Sequence, residues 1–296
     1  MVREVRAAAP LMADLAAPPS ARGPWLTAAL NASPAGPLAR VRPCAVVVER
    51  SGPATDALAL LALRRRGPAT DVTLLGAAPG PLPEGRPPAR LLARDPEVAG
   101  HLASGLVDLL DGLRGPWTMR LAGLPLGDPT LAHLAAALPD AQLATSRSRR
   151  LVDELDTVAG VHRTVDPPEV ERALPAVLAR VPAPQRVAVR ATVRLHAAIG
   201  QLELAVVPGA SPDQPAALLL TLLDPGPAGV DRWPWWGSSD VGGLRQELGS
   251  PSGRWPPRRG CSAWGGGAPP GARPSCRRRR DRAGGRALLS PGTAAG

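Results

Sequence analysis

ALALLALRRRGPATDVTLLG, residues Ala57–Gly76, is the stretch whose reading decides the fold. Ala57–Arg64 is an apolar run of strand length, and Gly67-Pro68 closes it. Asp71–Leu75 then starts a second strand, which Gly76 ends. Just upstream, Pro43 precedes Ala45–Glu49, a Val-rich run, and Ser51-Gly52-Pro53 turns the chain into Ala57. Two extended runs joined by a short turn read as a β-hairpin or meander.

Outward from there, helices and strands alternate. Ala77–Pro88 is rich in Pro and Gly and reads as a loop. Val98, Leu102, Leu106, Leu109, Leu110 and Leu113 recur at helical spacing, so a helix is expected over Asp95–Leu113. Trp117–Leu121 is expected as a strand. Asp128–Leu138 is expected as a helix, with Asp128 as its cap and Pro129 first inside it. Ala141–Asp156 holds a further short strand or two. Beyond Pro167-Pro168 the helical period returns, first with Val170, Leu174, Val177, Leu178 and Val181. A second amphipathic helix follows over Arg186–Ile199, with Val189, Val193 and Ile199 inward. Leu202–Val207 and Ala216–Leu223 read as strands, and Asp231–Ser238 as one more. Val2–Leu15 reads as a helix, and Trp25–Ala32 as one or two helical turns. The pattern predicts an α/β fold of the mixed, α+β kind in two similar halves, parted near residues 157–168. The divisions expected are 1–160, 161–240 and a tail over 241–296.

Composition narrows the class. A body of about 230 residues can bury roughly 70% of its extended-chain surface. There is no Phe, Tyr or Lys, one Ile (Ile199) and one Asn (Asn31). These scarce residues have AT-rich codons, so the coding sequence is expected to be GC-rich. The core must be Leu, Val and Ala, with Trp25 and Trp117 the large rings of the body. Three cysteines make no disulfide framework, and Cys44 beside a strand reads as a small buried hydrophobe. That usage fits a reduced, cytoplasmic setting. The start of the chain carries Glu4 and Asp14 and no apolar run of signal length. The runs Leu58–Leu63 and Ala216–Leu223 are too short to span a bilayer.

The tail is different in kind. Residues 1–231 hold 23 Arg against 22 acids, whereas residues 232–296 hold 12 Arg against 3. The formal charge of +10 therefore belongs almost wholly to the end of the chain. With 14 Gly, 8 Pro and only five Val or Leu, that end cannot build a core and is expected to be disordered. Translation of a GC-rich gene in a shifted frame yields this composition, and that reading outweighs a genuine basic arm. Arg277–Arg280 with Arg273, Arg282 and Arg286 would bind nucleic acid non-specifically, which is the lesser alternative.

The order of elements, carried by Ala57–Gly76, by LVDLLDGLRGPWTMRLAGLPLGDPTLAHLAAAL (Leu106–Leu138) and by GQLELAVV (Gly200–Val207) with AALLLTLL (Ala216–Leu223), resembles GNAT-type N-acetyltransferases of the CelD/BioF2-like group. The resemblance covers Trp25 to Ser239. It implies two acetyltransferase-like halves, acetyl-CoA (acyl-CoA) as cofactor and a small-molecule amine as acceptor. It also implies a phosphate loop of the form Arg/Gln-x-x-Gly-x-Gly/Ala between a strand and a helix, where backbone N–H groups hold the pyrophosphate. The match is Gln246 to Pro251, so Gln246 and Gly249 are the expected cofactor-binding residues. The last position is Pro251, which offers no N–H, and the second half is therefore expected to be incomplete. The function expected is acyl transfer to an amine, in a chain that is truncated and inactive if the loop is lost. The alternative is a non-catalytic α/β remnant or binding module.

Other residues weigh less. His196, on the helix Arg186–Ile199, is a base only if it has a partner and a cleft, and a partly exposed structural histidine is the stronger reading. His101, His133 and His162 have less to recommend them. Arg64–Arg66, and Arg147, Arg149 and Arg150 with Ser146 and Ser148, could meet an anion but read first as solvated surface. Trp233, Trp235 and Trp236 could stack on a ligand, though core or strand edge is the stronger reading. Cys261 and Cys276 form no zinc pattern, and no metal is expected. Gly265–Gly267 lacks the strand and helix of a phosphate loop.

Overall fold

The computed structural model describes residues 1–32, 41–50, 54–76, 89–139, 141–142, 144–211, 214–226, 229–254 and 286–291. It is a mixed α/β fold with three sheets, two of them covered by helices, and β7 of the third packed on the second. Two short helices, α1 (Val2–Ala7) and α2 (Ala9–Asp14), replace the single helix expected over Val2–Leu15. The break at Ala8 precedes Pro10, whose missing N–H cannot continue the helical ladder. A third helix, α3 (Gly23–Ala32), leads to β1 (Val41–Glu49), β2 (Ala57–Arg66) and β3 (Ala69–Leu74).

The expected hairpin is present: β1 and β2 pair antiparallel from Val41↔Arg64 to Val48↔Ala57. Both strands are apolar on both faces because both faces are covered. Val46, Val48, Ala59 and Leu61 meet one helix, α4 (Pro96–Asp111), whereas Ala45, Val47, Leu58 and Leu60 meet α1–α3. Before α4 comes β4 (Leu92–Ala93), paired with β2. After it come β5 (Trp117–Arg120), parallel to β3, then β6 (Ala122–Leu124), α5 (Pro129–Ala137) and β7 (Ala144–Asp153). Cys44 is buried on β1 as expected, and burial pushes its thiol up.

The rest of the chain begins with β8 (His162–Thr164), α6 (Pro167–Arg180) and α7 (Arg186–Ala198). Strands β9 (Leu202–Val207), β10 (Ala217–Gly226) and β11 (Gly229–Ser239) follow. They form a sheet in the order β11-β10-β9-β8. Leu202, Leu204, Leu218 and Leu220 of this sheet pack under Val170, Val177, Val189 and Val193 of the two helices. Ile199, expected inward, is 50% exposed. The helix ends at Ala198, and Ile199 takes φ −108°, ψ 11°, so it no longer continues the apolar stripe. Gly200 follows at φ +67°, a turn that favours glycine.

The tail begins otherwise than expected. Residues 244–254, read as disordered, form β12 (Leu244–Arg254), and β13 (Arg286–Pro291) pairs with β1. Strand β12 pairs antiparallel with β7 and touches β6, giving a third sheet in the order β6-β12-β7. An open edge on β7, rather than any apolar pattern in LRQELGSPSGR, makes this segment extended. Its charges help: Glu247 stands opposite Arg150 and pairs with it at 3.0 Å, and Arg245 pairs with Glu154 at 2.6 Å. The register shifts between Leu248 and Pro251, which places the proline at a bulge, where a missing N–H is tolerated. The basic cluster Arg273–Arg282, Cys261, Cys276 and Gly265–Gly267 lie outside the described residues.

A charge cluster joins β7, β8, β9 and β11. Arg163 meets Asp153 and Glu203, each at 2.9 Å, and Asp156 at 2.8 Å, while Arg232 meets Asp153 at 3.4 Å and also Glu203.

Candidate functional site

Open sheets bind ligands outside the carboxyl ends of their strands, where strand order or direction switches. Among the described residues, β3 and β5 are the one parallel pair, aligned from Thr70↔Trp117 to Thr73↔Arg120. The chain then leaves this sheet at Leu121, and β6 pairs with β12 instead. A crevice would open between the end of β3 and the departing strand.

That space is filled from within. Leu75 ends the alignment of β3 by donating to Leu60 O at 2.8 Å, and β4 continues in the same lane beside Leu58 and Ala57. Ala89 N–H donates to Gly123 O at 2.8 Å, so residues 89–93 bridge β2 to the departing strand. The Arg90 guanidinium is tied to Leu15 O. The cavity that remains, lined by Ser20, Leu26, Leu58, Leu74 and Arg90 among others, is about 30 Å³. That is room for about one water.

The neighbouring helix N-termini are also engaged. A free N-terminus attracts anions through its unpaired N–H groups. Asp95 Oδ1 instead accepts from Val98 N at 2.8 Å on α4, and Arg50 pairs with Asp95 at 3.1 Å. Asp128 Oδ1 accepts from Thr130 N at 2.9 Å and Leu131 N at 3.2 Å on α5. Burial pushes Asp128 above the usual carboxylate range, against the pull of those two amides. Each helix thus carries its own carboxylate where a ligand anion would sit.

Gln246 and Gly249, expected on a strand-to-helix loop, lie within β12. Gln246 is opposite Leu151 and Glu247 opposite Arg150. A strand sends successive N–H groups to opposite edges, whereas a phosphate needs them to converge.

His196 is buried, and its Nδ1 lies 2.8 Å from Thr192 O on the previous turn. Burial lowers its pKa, and the bond to Thr192 opposes that weakly. Among the described residues no carboxylate pairs with it, and its ring neighbour is Trp25, edge-on at 6.5 Å. This is a core histidine. Trp25 also meets Trp235 edge-on at 5.5 Å and Trp233 at 6.2 Å, and its Nε1–H donates to Gly76 O at 3.2 Å. Trp235 and Trp236 are likewise core, and Trp233 packs against them. The bulge opposite Leu220/Thr221 brings Trp235 inward beside Pro234.

The other candidates are dispersed. His162 pairs with Glu169 at 3.3 Å on the surface, and His133 Nε2 lies 3.2 Å from Pro96 O. His101 is exposed on α4. Arg64–Arg66 end β2 exposed, with Arg66 paired to Asp71 at 2.7 Å. Arg150 is bound to Glu247, and the side chains of Ser146–Arg149 lie outside the described residues. Among the described residues, no group of three His, Cys, Asp or Glu could hold a metal, and no helix is long and apolar enough to cross a membrane. Arg186, Arg190 and Arg194, none of them singled out by a motif, line a groove between α6 and α7. Their spacing of four in RVAVRATVR was its signal.

No family model matches the chain, and neither does any curated protein. Among solved structures it is similar to a tandem GNAT protein from the clavulanic acid biosynthesis pathway, solved without AcCoA. The likeness covers 73% of this chain and 70% of that one, at 20% sequence identity and a TM-score of 0.34.

Proposed function

We propose that this chain is a GNAT-like α/β framework that, as it stands, acts as a binding module and does not transfer acyl groups. The sequence resemblance supports the framework. The observation that carries the rest is the extended backbone of Gln246–Leu248, paired along β7. A pyrophosphate is held by convergent backbone N–H groups at a loop or helix start, and a paired strand does not supply them. The self-capped N-termini of α4 and α5 and the filled lane beyond β3 point the same way.

The second reading is acyl transfer from acetyl-CoA to a small-molecule amine. It is favoured by the parallel β3/β5 pair, the usual surrounding of a ligand crevice. Direct attack by a neutral amine on a positioned thioester would then be the chemistry, with free CoA thiol as the product. The two are separated by incubating the full chain with acetyl-CoA and a panel of primary amines while following thiol release and melting temperature. The binding-module reading expects no release above the protein-free rate and no shift with acetyl-CoA. Amine-dependent release would overturn it in favour of transfer.

A further inference from the structure

Helices α6 and α7 are joined by one 3-10 turn at Ala183–Gln185 and pack side by side. Their inner faces cover the sheet, and between them on the outer face runs a groove of about 380 Å³. On its apolar side Pro175 and Ala179 of α6 are exposed, while Leu174 and Leu178 form its floor as part of the buried core. Arg186, Arg190 and Arg194 of α7 form the other, with Glu171 also lining it. Side chains four apart share a helix face, about 6 Å from one to the next along the axis.

The charges in this groove do not balance. Glu171 is committed to Arg194, whose Nε donates to Oε2 at 3.0 Å and whose second guanidinium nitrogen reaches Oε1. Those bonds, and the charge of Arg190, hold Glu171 below the usual carboxylate range. Arg186 donates to a neutral acceptor, Val181 O, at 3.0 Å. Among the described residues neither Arg186 nor Arg190, one helical turn apart, forms an ion pair of its own, and Glu171, near enough to feel Arg190, is bonded to Arg194. Like charges at that spacing repel, and an anion seated between them would remove the repulsion. Guanidinium pairs grip carboxylate and phosphate through parallel N–H donors. The opposite wall offers nothing to a polar ligand but suits alkyl or aryl carbon.

We propose that this groove is a binding site for an amphiphilic anion, with its carboxylate or phosphate head between Arg186 and Arg190 and its apolar body along Pro175 and Ala179, over the outer edge of Leu178. The inference stands on α6 and α7 alone, so the acetyl-CoA result does not bear on it.

Isothermal titration of the full chain with decanoate, octyl phosphate, octanol and inorganic phosphate tests it. Either or both amphiphilic anions bind, and their ranking tells which head the arginine pair prefers. Octanol and inorganic phosphate each bind at least about tenfold more weakly, because each lacks half of the recognition. Arg190→Gln weakens binding about tenfold and Arg190→Lys by less, since an ammonium keeps the charge but not the fork. Glu171→Gln strengthens binding, because it releases Arg194 to the ligand. Circular dichroism checks that these exposed substitutions leave the fold intact. Failure of both anions to bind overturns the proposal. So does octanol or phosphate binding as tightly as the amphiphiles, or an Arg190→Gln chain that binds as well as the parent.

Discussion

Replacing Trp25 by alanine tests the packing logic most severely, because this ring lies on an N-terminal helix yet belongs to the core beneath α6 and α7. It is 5% exposed. Truncating a buried Trp to Ala costs about 3–5 kcal/mol through lost transfer energy and the cavity left behind. The edge-on contacts with Trp235 and His196 push the value toward the top of that range, since such pairs contribute about 0.5–1.5 kcal/mol beyond burial. The N–H bond to Gly76 O contributes about 1 kcal/mol more. A loss of about 4–5 kcal/mol is a large part of the 5–15 kcal/mol that holds an ordinary domain together. Trp25→Phe keeps an edge-on ring but loses the donor and some volume, so about 1–2 kcal/mol is expected. Urea unfolding followed by far-ultraviolet circular dichroism reads both values. Limited proteolysis reads whether α1–α3 are released first, since α3 packs on α7. A Trp25→Ala chain that loses under about 1 kcal/mol and resists protease like the parent would refute this account of the core.

Gly76 sits at φ +79°, and a Cβ there would lie 2.6 Å from Trp25 Nε1. Gly76→Ala should therefore cost about 2–4 kcal/mol by urea unfolding, combining left-handed strain with a displaced indole. His196 is held below its ordinary value of 6.5 by burial. The unfolded chain then binds more protons just below that pH, so the stability is full above pH 6.5 and falls as the pH drops through the window beneath it. His196→Gln should flatten that part of the urea-midpoint profile, and an unchanged slope would count against the assignment. Arg163→Ala leaves Asp153 and Glu203, each mostly buried, with the half-exposed Arg232 as their remaining cation, and Asp153 with the Leu155 N–H as well. Its expected cost is about 2–3 kcal/mol, below the full penalty for breaking a buried pair because Arg232 remains.

Much of the framework was legible from local pattern. Ala57–Gly76 read as two strands because its apolar runs end at Gly67-Pro68 and Gly76, and β2 and β3 follow those limits within two residues. Asp95-Pro96 and Asp128-Pro129 announced α4 and α5 because a capping carboxylate and an N-terminal proline act locally. What was not legible depends on distant partners. Nothing in LRQELGSPSGR marks a strand; the edge of β7, nearly a hundred residues earlier, makes it one. Trp25 does not reveal from its own helix that it will sit among Trp233, Trp235 and His196. His196 shows the limit for sites: the sequence reads it as a partly exposed histidine on an amphipathic helix, whereas it is buried, bonded to Thr192 O and edge-on to Trp25, a neighbour that only the fold supplies. The arginine row of α7 was visible as spacing, whereas the apolar wall facing it came from α6.

Residues 246–251 lie in β12, and the proposed function requires that they hold no pyrophosphate. Hydrogen exchange on the full chain, with and without acetyl-CoA, addresses it directly. Slowed exchange is expected at the amides of Gln246–Leu248 that bond to β7, unchanged when acetyl-CoA is added. Fast exchange across the segment that becomes protected on adding acetyl-CoA would contradict it.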